Sequence, residues 1–274
     1  MSLAIGIDVR DSGLVAVTAD DRGTIVSRTA AAGGATRIGF AVRDPYDPAI
    51  AGLVREAAAS AGVATPPRIV TRGAAAALAE QWCGAARGAR YVVALAVDEC
   101  VYAGIAIDGR PFEGAHGLAG AAGWLALNPV EREDYRRYGC LEAEIGTAGI
   151  GRRLVWRIKA GDRSRVLDAA GGDLTAITAA QVFDGARSGD GVAISVIRNT
   201  ARYIGMAIAN LVAAADLLLE PSRAEASRRL PTRAAAALTI DRSTLGDDAV
   251  PLGAARAAFL STDPDATPVT IPGA

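Results

Sequence analysis

The order of short apolar runs constrains this chain more than any single motif does. Residues 4–9 read as a buried strand carrying Asp8 near its end. Arg10, Asp11, Ser12 and Gly13 supply tight-turn chemistry, residues 14–18 a second strand and residues 24–29 a third, so the chain opens as an antiparallel meander. Asp47-Pro48 then starts a helix, with a capping carboxylate and a proline at the first helical position. Ile50, Leu53, Val54, Ala57, Ala58 and Ala61 recur behind it at helical spacing. Residues 68–70 are strand-like and residues 74–83 helical, while residues 91–97 form the continuous apolar run of a parallel strand buried on both faces. A strand over residues 101–107, the turn Asp108-Gly109-Arg110-Pro111 and a glycine-rich segment follow.

The second half is mostly helical. Asp190-Gly191 opens a long helix to about residue 214, residues 217–219 and 234–240 read as strands, and residues 247–260 form a last helix. The tail from Ser261, rich in Pro, Asp and Thr, is expected to fray. This order predicts an α/β protein with mixed sheets in two lobes. The N-terminal lobe is expected over residues 1–107, joined by helix 247–260, and the C-terminal lobe over residues 108–246.

Composition narrows the function classes. Of 274 residues, 51% are hydrophobic and 22% charged, enough for a sizeable core and too apolar for disorder. A net charge of −1 gives no bulk electrostatic reason to bind nucleic acid or a membrane surface. Lys159 is the only lysine, so no Walker-type phosphate loop is present. Cys83, Cys100 and Cys140, odd in number and far apart, fit a reducing compartment better than a disulfide framework. With neither signal-peptide regions nor a membrane-length apolar run, a cytoplasmic location is expected.

Four stretches carry a resemblance to a known family. Gly114-Ala115-His116-Gly117-Leu118-Ala119-Gly120-Ala121-Ala122-Gly123-Trp124 lines up with a G-A-x-G-x-A-G-E-x-G-H signature, and Gly139-Cys140-Leu141-Glu142 with the end of a C-x-C-G-x-x-G-C-L-E motif. Gly189-Asp190 precedes a long helix, and residues 245–255 are close to a C-terminal signature. In this order they resemble the ROK family (repressors, open reading frames and kinases) of the actin-like sugar kinases. The resemblance implies a two-lobed actin-like, ribonuclease H-like α/β fold with mixed sheets and an interlobe cleft.

Departures from the family pattern bear on activity. The first phosphate turn of a family kinase reads D-x-G-G-T. Here Asp8 is kept while Arg10-Asp11-Ser12 replaces the small residues that let backbone N–H groups approach a phosphate. The second loop, G-T-G-I-G, aligns with Asp98-Glu99-Cys100-Val101-Tyr102, and the glycine pair beside adenosine with Glu220-Pro221-Ser222. The Asn-Asp pair that supplies the general base aligns with Thr71-Arg72, and a guanidinium does not accept a proton near neutral pH. No catalytic residue and no bound ATP or magnesium are therefore expected.

The sugar-clamping glutamate aligns with Ala121 and the following histidine with Trp124, leaving Glu142 as the retained sugar contact. Thr71, Arg72, His116, Trp124 and Glu142 are the candidate ligand residues, Trp124 through its ring face and His116 more simply as a loop hydrogen-bonder. The family's structural zinc takes one histidine and three cysteines, whereas the aligned positions are Trp124, Glu133, Tyr135 and Cys140, so no zinc is expected. Cys140 then reads as a small buried hydrophobe, and residues 131–137 as a solvated charged surface. Asp8, Asp11, Asp98 and Glu99 either form a divalent-metal or acid/base site or pair with Arg10 and Arg72. Pairing is preferred, because clustered charges are usually paired.

Three functions are consistent with these readings. One is the effector domain of a ROK-type transcriptional regulator, binding a small molecule such as a carbohydrate, as a homodimer. The others are an ATP-dependent hexose kinase and a stand-alone pseudo-kinase acting through protein contacts. No helix-turn-helix pattern precedes residue 4, so DNA would be reached only through a module outside these residues.

Overall fold

Strand β1 (Leu3–Arg10) is buried along nearly its whole length, with Ala4 and Asp8 fully enclosed. It needs partners on both edges and cover on both faces. The computed structural model, which describes residues 2–29, 34–98, 100–114, 117–210, 224, 228–230 and 239–260, supplies them. On one edge β1 pairs antiparallel with β2 (Gly13–Asp20), which in turn pairs with β3 (Ile25–Ser27). On the other edge it pairs in parallel with β4 (Arg37–Val42), followed in parallel by β5 (Arg68–Thr71). The sheet order is β3-β2-β1-β4-β5, a mixed five-stranded sheet.

The two faces of this sheet are built differently. Ile5, Ile7, Val9, Ile38, Phe40 and Val42 project to one face and pack with Val54 and Ala58 of helix α1 (Pro48–Ser60). Asp47 caps α1 by accepting from the Ala49 N–H, the role its place before Pro48 predicts. The opposite face carries Ala4, Gly6, Gly39 and Ala41, against which lies the last helix. That helix (Ala249–Leu260) is apolar on nearly all sides, because it also packs on α2 (Arg72–Cys83). A Cβ on Gly6 would sit 1.9 Å from the Pro251 carbonyl oxygen, and one on Gly39 1.9 Å from that of Ala254. The alanine and glycine load therefore serves close backbone approach of helix to sheet.

Strands β6 (Tyr91–Val97), β7 (Val101–Ile107) and β8 (Arg110–Phe112) make a three-stranded sheet, β7 and β8 being antiparallel. The chain divides into two compact units, one of Met1–Ala94, Ala103–Gly120 and Ser243–Ala274, the other of Leu95–Tyr102 and Ala121–Arg242. In the second unit short helices α3 (Glu133–Tyr138) and α4 (Cys140–Ile145) lead into α5 (Thr147–Lys159), then α6 (Arg165–Ala169) and α7 (Ala179–Arg187). Helix α8 follows over Gly191–Asn210, and Ala249–Leu260 is thus α9 in chain order. Helices α5, α7 and α8 pack together over Leu154, Val182, Ala193 and Val196.

The structure corrects several readings. Strand β4 was not anticipated, and α2 starts at Arg72, with Thr71 accepting from the Ala74 N–H as its cap. Strand β3 is shorter than residues 24–29, and Arg110-Pro111, read as turn, lies in β8. The expected strands 217–219 and 234–240 fall largely outside the described residues, as do the end of the long helix beyond 210 and the tail from Ser261. No helix among the described residues is long and apolar enough to cross a membrane.

Candidate functional site

In the first unit the chemistry gathers where β1, β5 and α2 end or begin. Alternation along β1 sends Asp8 to the same side as Ala4 and Gly6, and its carboxylate is fully buried. Arg72, the first residue of α2, is only 3% exposed and donates from Nε to Asp8 Oδ1 at 2.9 Å and from Nη2 to Oδ2 at 3.4 Å. Arg10 donates from Nε to Asp8 Oδ2 at 2.6 Å. A cation at the first position of a helix opposes the helix dipole, and the Asp8 carboxylate compensates it directly. One carboxylate shared by two guanidiniums is a satisfied buried ion cluster. Water does not reach Asp8, so the carboxylate is not presented to a hydrated cation.

The loop that carries phosphate in family kinases is closed down. Arg10 pairs with Gly13 in the β1–β2 register, leaving Asp11 and Ser12 as a two-residue exposed turn. Asp11 lies at the tip of this hairpin. Its carboxylate is 74% exposed and lies 3.7 Å from Arg43. Of the expected pairing, Asp8 with Arg10 and Arg72 is formed. Arg43 had no distinguishing signal in the sequence. Arg10 also reaches α9's approach, its Nη2 donating to the Asp247 carbonyl oxygen at 3.5 Å.

The remaining candidates lie in the second unit or outside the described residues. Residues 98–100 join β6 to β7, the Asp98 N–H donating to the Cys100 carbonyl at 3.2 Å. Glu142, on α4, accepts the Val101 N–H, so the retained family glutamate is tied to the first residue of β7. Trp124 closes a one-turn helix over Ala122–Trp124 and is 61% exposed, with its ring available to solvent. Gly139, the first residue of Gly-Cys-Leu-Glu, has φ 93°, and a Cβ there would lie 2.4 Å from the Gly123 carbonyl oxygen. The two motifs are thus packed backbone to backbone, bringing Trp124 and Glu142 into one neighbourhood. Glu99, His116 and residues 220–222 lie outside the described residues.

The positions aligned with the family's zinc ligands are occupied by a different staple. Tyr135 and Cys140 are buried together with Ala143. The Tyr135 hydroxyl donates to Glu144, itself 3% exposed, and Arg132 Nη1 donates to the same carboxylate at 2.8 Å. Burial, helped by the Glu144 carboxylate, pushes the Tyr135 phenol far above its ordinary range. Arg132 also holds Asp134 at 2.7 Å, keeping that carboxyl below the usual carboxylate range, and its guanidinium lies 4.1 Å over the Tyr135 ring. Residues 131–137 are therefore not simply a solvated surface. They include most of a short helix pinned by a half-buried arginine, a correction that Tyr135, an aromatic residue among the charges, could have signalled. Among the described residues no group of three or more His, Cys, Asp or Glu could hold a metal.

A mixed sheet of order β3-β2-β1-β4-β5, crossed by helices and joined to a second α/β unit, defines the class as the actin-like sugar-kinase fold. The family model described as the ROK family matches residues 57–219, more than half of the chain, and the chain belongs to that family. Its relatives fall on both sides of the family. It is 30% identical over 198 residues to a glucokinase of Halalkalibacterium halodurans, the match covering 65% of this chain and 59% of the glucokinase. It is 33% identical over 134 residues to the DNA-binding transcriptional dual regulator NagC of Escherichia coli, covering 48% of this chain and 32% of the regulator. In fold it is similar to a ROK family transcriptional regulator homologous to the E. coli MLC protein, with TM-score 0.75, 20% identity, and coverage of 94% of this chain and 78% of that one. The chain thus spans about a third to three-fifths of the length of these curated relatives.

Proposed function

We propose that this chain is a non-catalytic ROK body, the small-molecule-sensing and dimerising effector part of a transcriptional regulator. The observation that carries the reading is Arg72. The residue aligned with the general base is a buried guanidinium committed to Asp8, with no capacity to accept the proton of a sugar hydroxyl. The two-residue turn at Asp11-Ser12 supports it, because no run of small residues there offers N–H groups to a phosphate. Trp124 supplies a stacking face where the family clamp is lost, and the retained Glu142, which also accepts the Val101 N–H, a carboxylate acceptor for a ligand. Cytoplasmic location and homodimerisation belong to the same proposal, as does contact with DNA through a helix-turn-helix module in the complete regulator.

A second reading, hexose phosphorylation with ATP and magnesium, draws on the longer match to the glucokinase. Thermal shift with a monosaccharide panel, with and without ATP and magnesium, separates the two. The regulator reading expects a sugar or related small molecule to raise the melting temperature and ATP to leave it unchanged. Stabilisation by ATP and magnesium alone, saturable at micromolar to millimolar concentration, would favour the kinase.

A further inference from the structure

Two helices of the second unit present matching polar stripes that the proposed function does not use. On α5, Arg153, Trp156 and Arg157 fall at i, i+3 and i+4, and on α8, Asn199, Arg202 and Tyr203 repeat the same spacing. Between them lies a cavity of about 520 Å³, whose rim is completed by residues 127–129, Arg132 and Glu144. Neither Trp124 nor Glu142 lines it. Its size is that of a small-molecule site rather than a water pocket.

The charge of the walls is unbalanced. Four guanidiniums line the cavity, and the carboxylates bound to them are Glu144, Asp134 and Asp162. Arg132 is held by two of these acids, and the buried Arg153 lies 3.4 Å from Glu144. Arg157 has an exposed pairing with Asp162, of the kind that contributes little, and its Nη1 donates to the neutral Ser195 hydroxyl at 3.1 Å. Arg202 is exposed, and among the described residues its Nη1 donates to the neutral amide oxygen of Asn199 at 3.2 Å. Tyr203 and Asn128 add neutral polar groups, hydrogen-bonded to one another at 3.3 Å. Trp156, Val196 and Met206 give the same cavity an apolar wall.

We propose that this cavity binds a small organic oxyanion, a phosphate monoester or a carboxylate on a compact apolar or ring-shaped body. Arg202 and Arg157 hold the anionic head, and Trp156 packs against the body. A bare inorganic ion would leave most of the volume and all of the apolar wall without contacts.

Calorimetric titration at low salt with phenyl phosphate, benzoate and benzyl alcohol tests the assignment, the first two arms separating the phosphoryl from the carboxylate head. The expected result is one saturable site for at least one of the anions and none for the neutral alcohol, with affinity falling as salt rises. Arg202→Glu lowers affinity by about tenfold or more and Arg157→Gln by less, whereas Arg43→Ala in the first unit changes nothing. Arg202 is exposed, so the variant is expected to fold, and an unchanged melting temperature confirms that it has. No saturable binding of either anion by the folded protein, or undiminished binding by Arg202→Glu, overturns the proposal. The outcome is independent of whether the chain phosphorylates sugars.

Discussion

Arg72 Nε donates to Asp8 Oδ1 across 2.9 Å, and neither side chain is more than 3% exposed. The strand that begins the fold and the helix that would carry the catalytic base in a family kinase are thus joined by a charge pair. Removing the cation leaves a fully buried carboxylate with Arg10 as its main remaining counterion, and breaking a buried pair from one side costs about 3–5 kcal/mol. Arg72→Leu is expected to lose stability of that size in urea unfolding. The double variant Asp8→Asn with Arg72→Leu loses less than the two single variants added together. Strict additivity would show that the pair is not coupled.

Helix α9 touches α2 through backbone. A Cβ on Gly253 would fall 1.7 Å from the Ala75 carbonyl oxygen, so Gly253→Ala forces the helices apart and costs about 3 kcal/mol. Gly52, in α1, has no atom within 4 Å of the same construction. Gly52→Ala is expected to stabilise by up to about 1 kcal/mol through helix propensity alone. The opposite ranking in denaturant midpoints would remove the close-packing account of the small-residue face.

Asp190 caps α8. Burial works to raise its pKa, but the N–H groups of Ala193 and Arg165, at 2.8 and 2.7 Å, outweigh it and leave the carboxyl below its ordinary 3.8. A depressed folded pKa contributes stability above the unfolded value that is lost as pH falls through the folded one. Asp190→Asn is therefore expected to unfold with a flatter acid limb below about pH 4, and Asp190→Ala to cost about 1–2 kcal/mol at neutral pH. Acid-unfolding curves parallel to the parent's would contradict the assignment.

The Tyr135–Glu144–Arg132 cluster stands where the family's zinc would staple the chain. Tyr135→Phe removes the hydroxyl donor from a buried carboxylate and is expected to cost about 2 kcal/mol. A chelator such as EDTA leaves the melting temperature of the parent unchanged. A fall in melting temperature with chelator, reversed by zinc, would show that a metal holds this region.

Why some of this was legible in sequence and some was not follows from particular residues. Strand β1 and its hairpin declared themselves through the run around Ile5, Ile7 and Val9 and the turn residues after Asp8. The Asp47 cap and the Gly189-Asp190 helix start were equally local signals. Strand β4 escaped because it is buried on both faces and carries Gly39, whose missing side chain serves a contact with Ala254 that no local pattern announces. The pairing of Asp8 with Arg10 and Arg72 was foreseeable from charge clustering. The approach of Asp11 to Arg43 was not, because a two-residue turn holds Asp11 at the hairpin tip, facing solvent. The burial of Tyr135 and Glu144 is tertiary, set by α4 and α5, and in residues 131–137 a single tyrosine among six charged residues is a weak local signal for it.

The most direct test of the central claim is ADP formation by the purified chain with ATP, magnesium and a panel of hexoses, followed in a coupled assay. With a guanidinium in the place of the general base, release of ADP is expected to stay at the sugar-free background for every hexose. Sugar-dependent ADP formation above that background, lost on heat denaturation, would contradict the account.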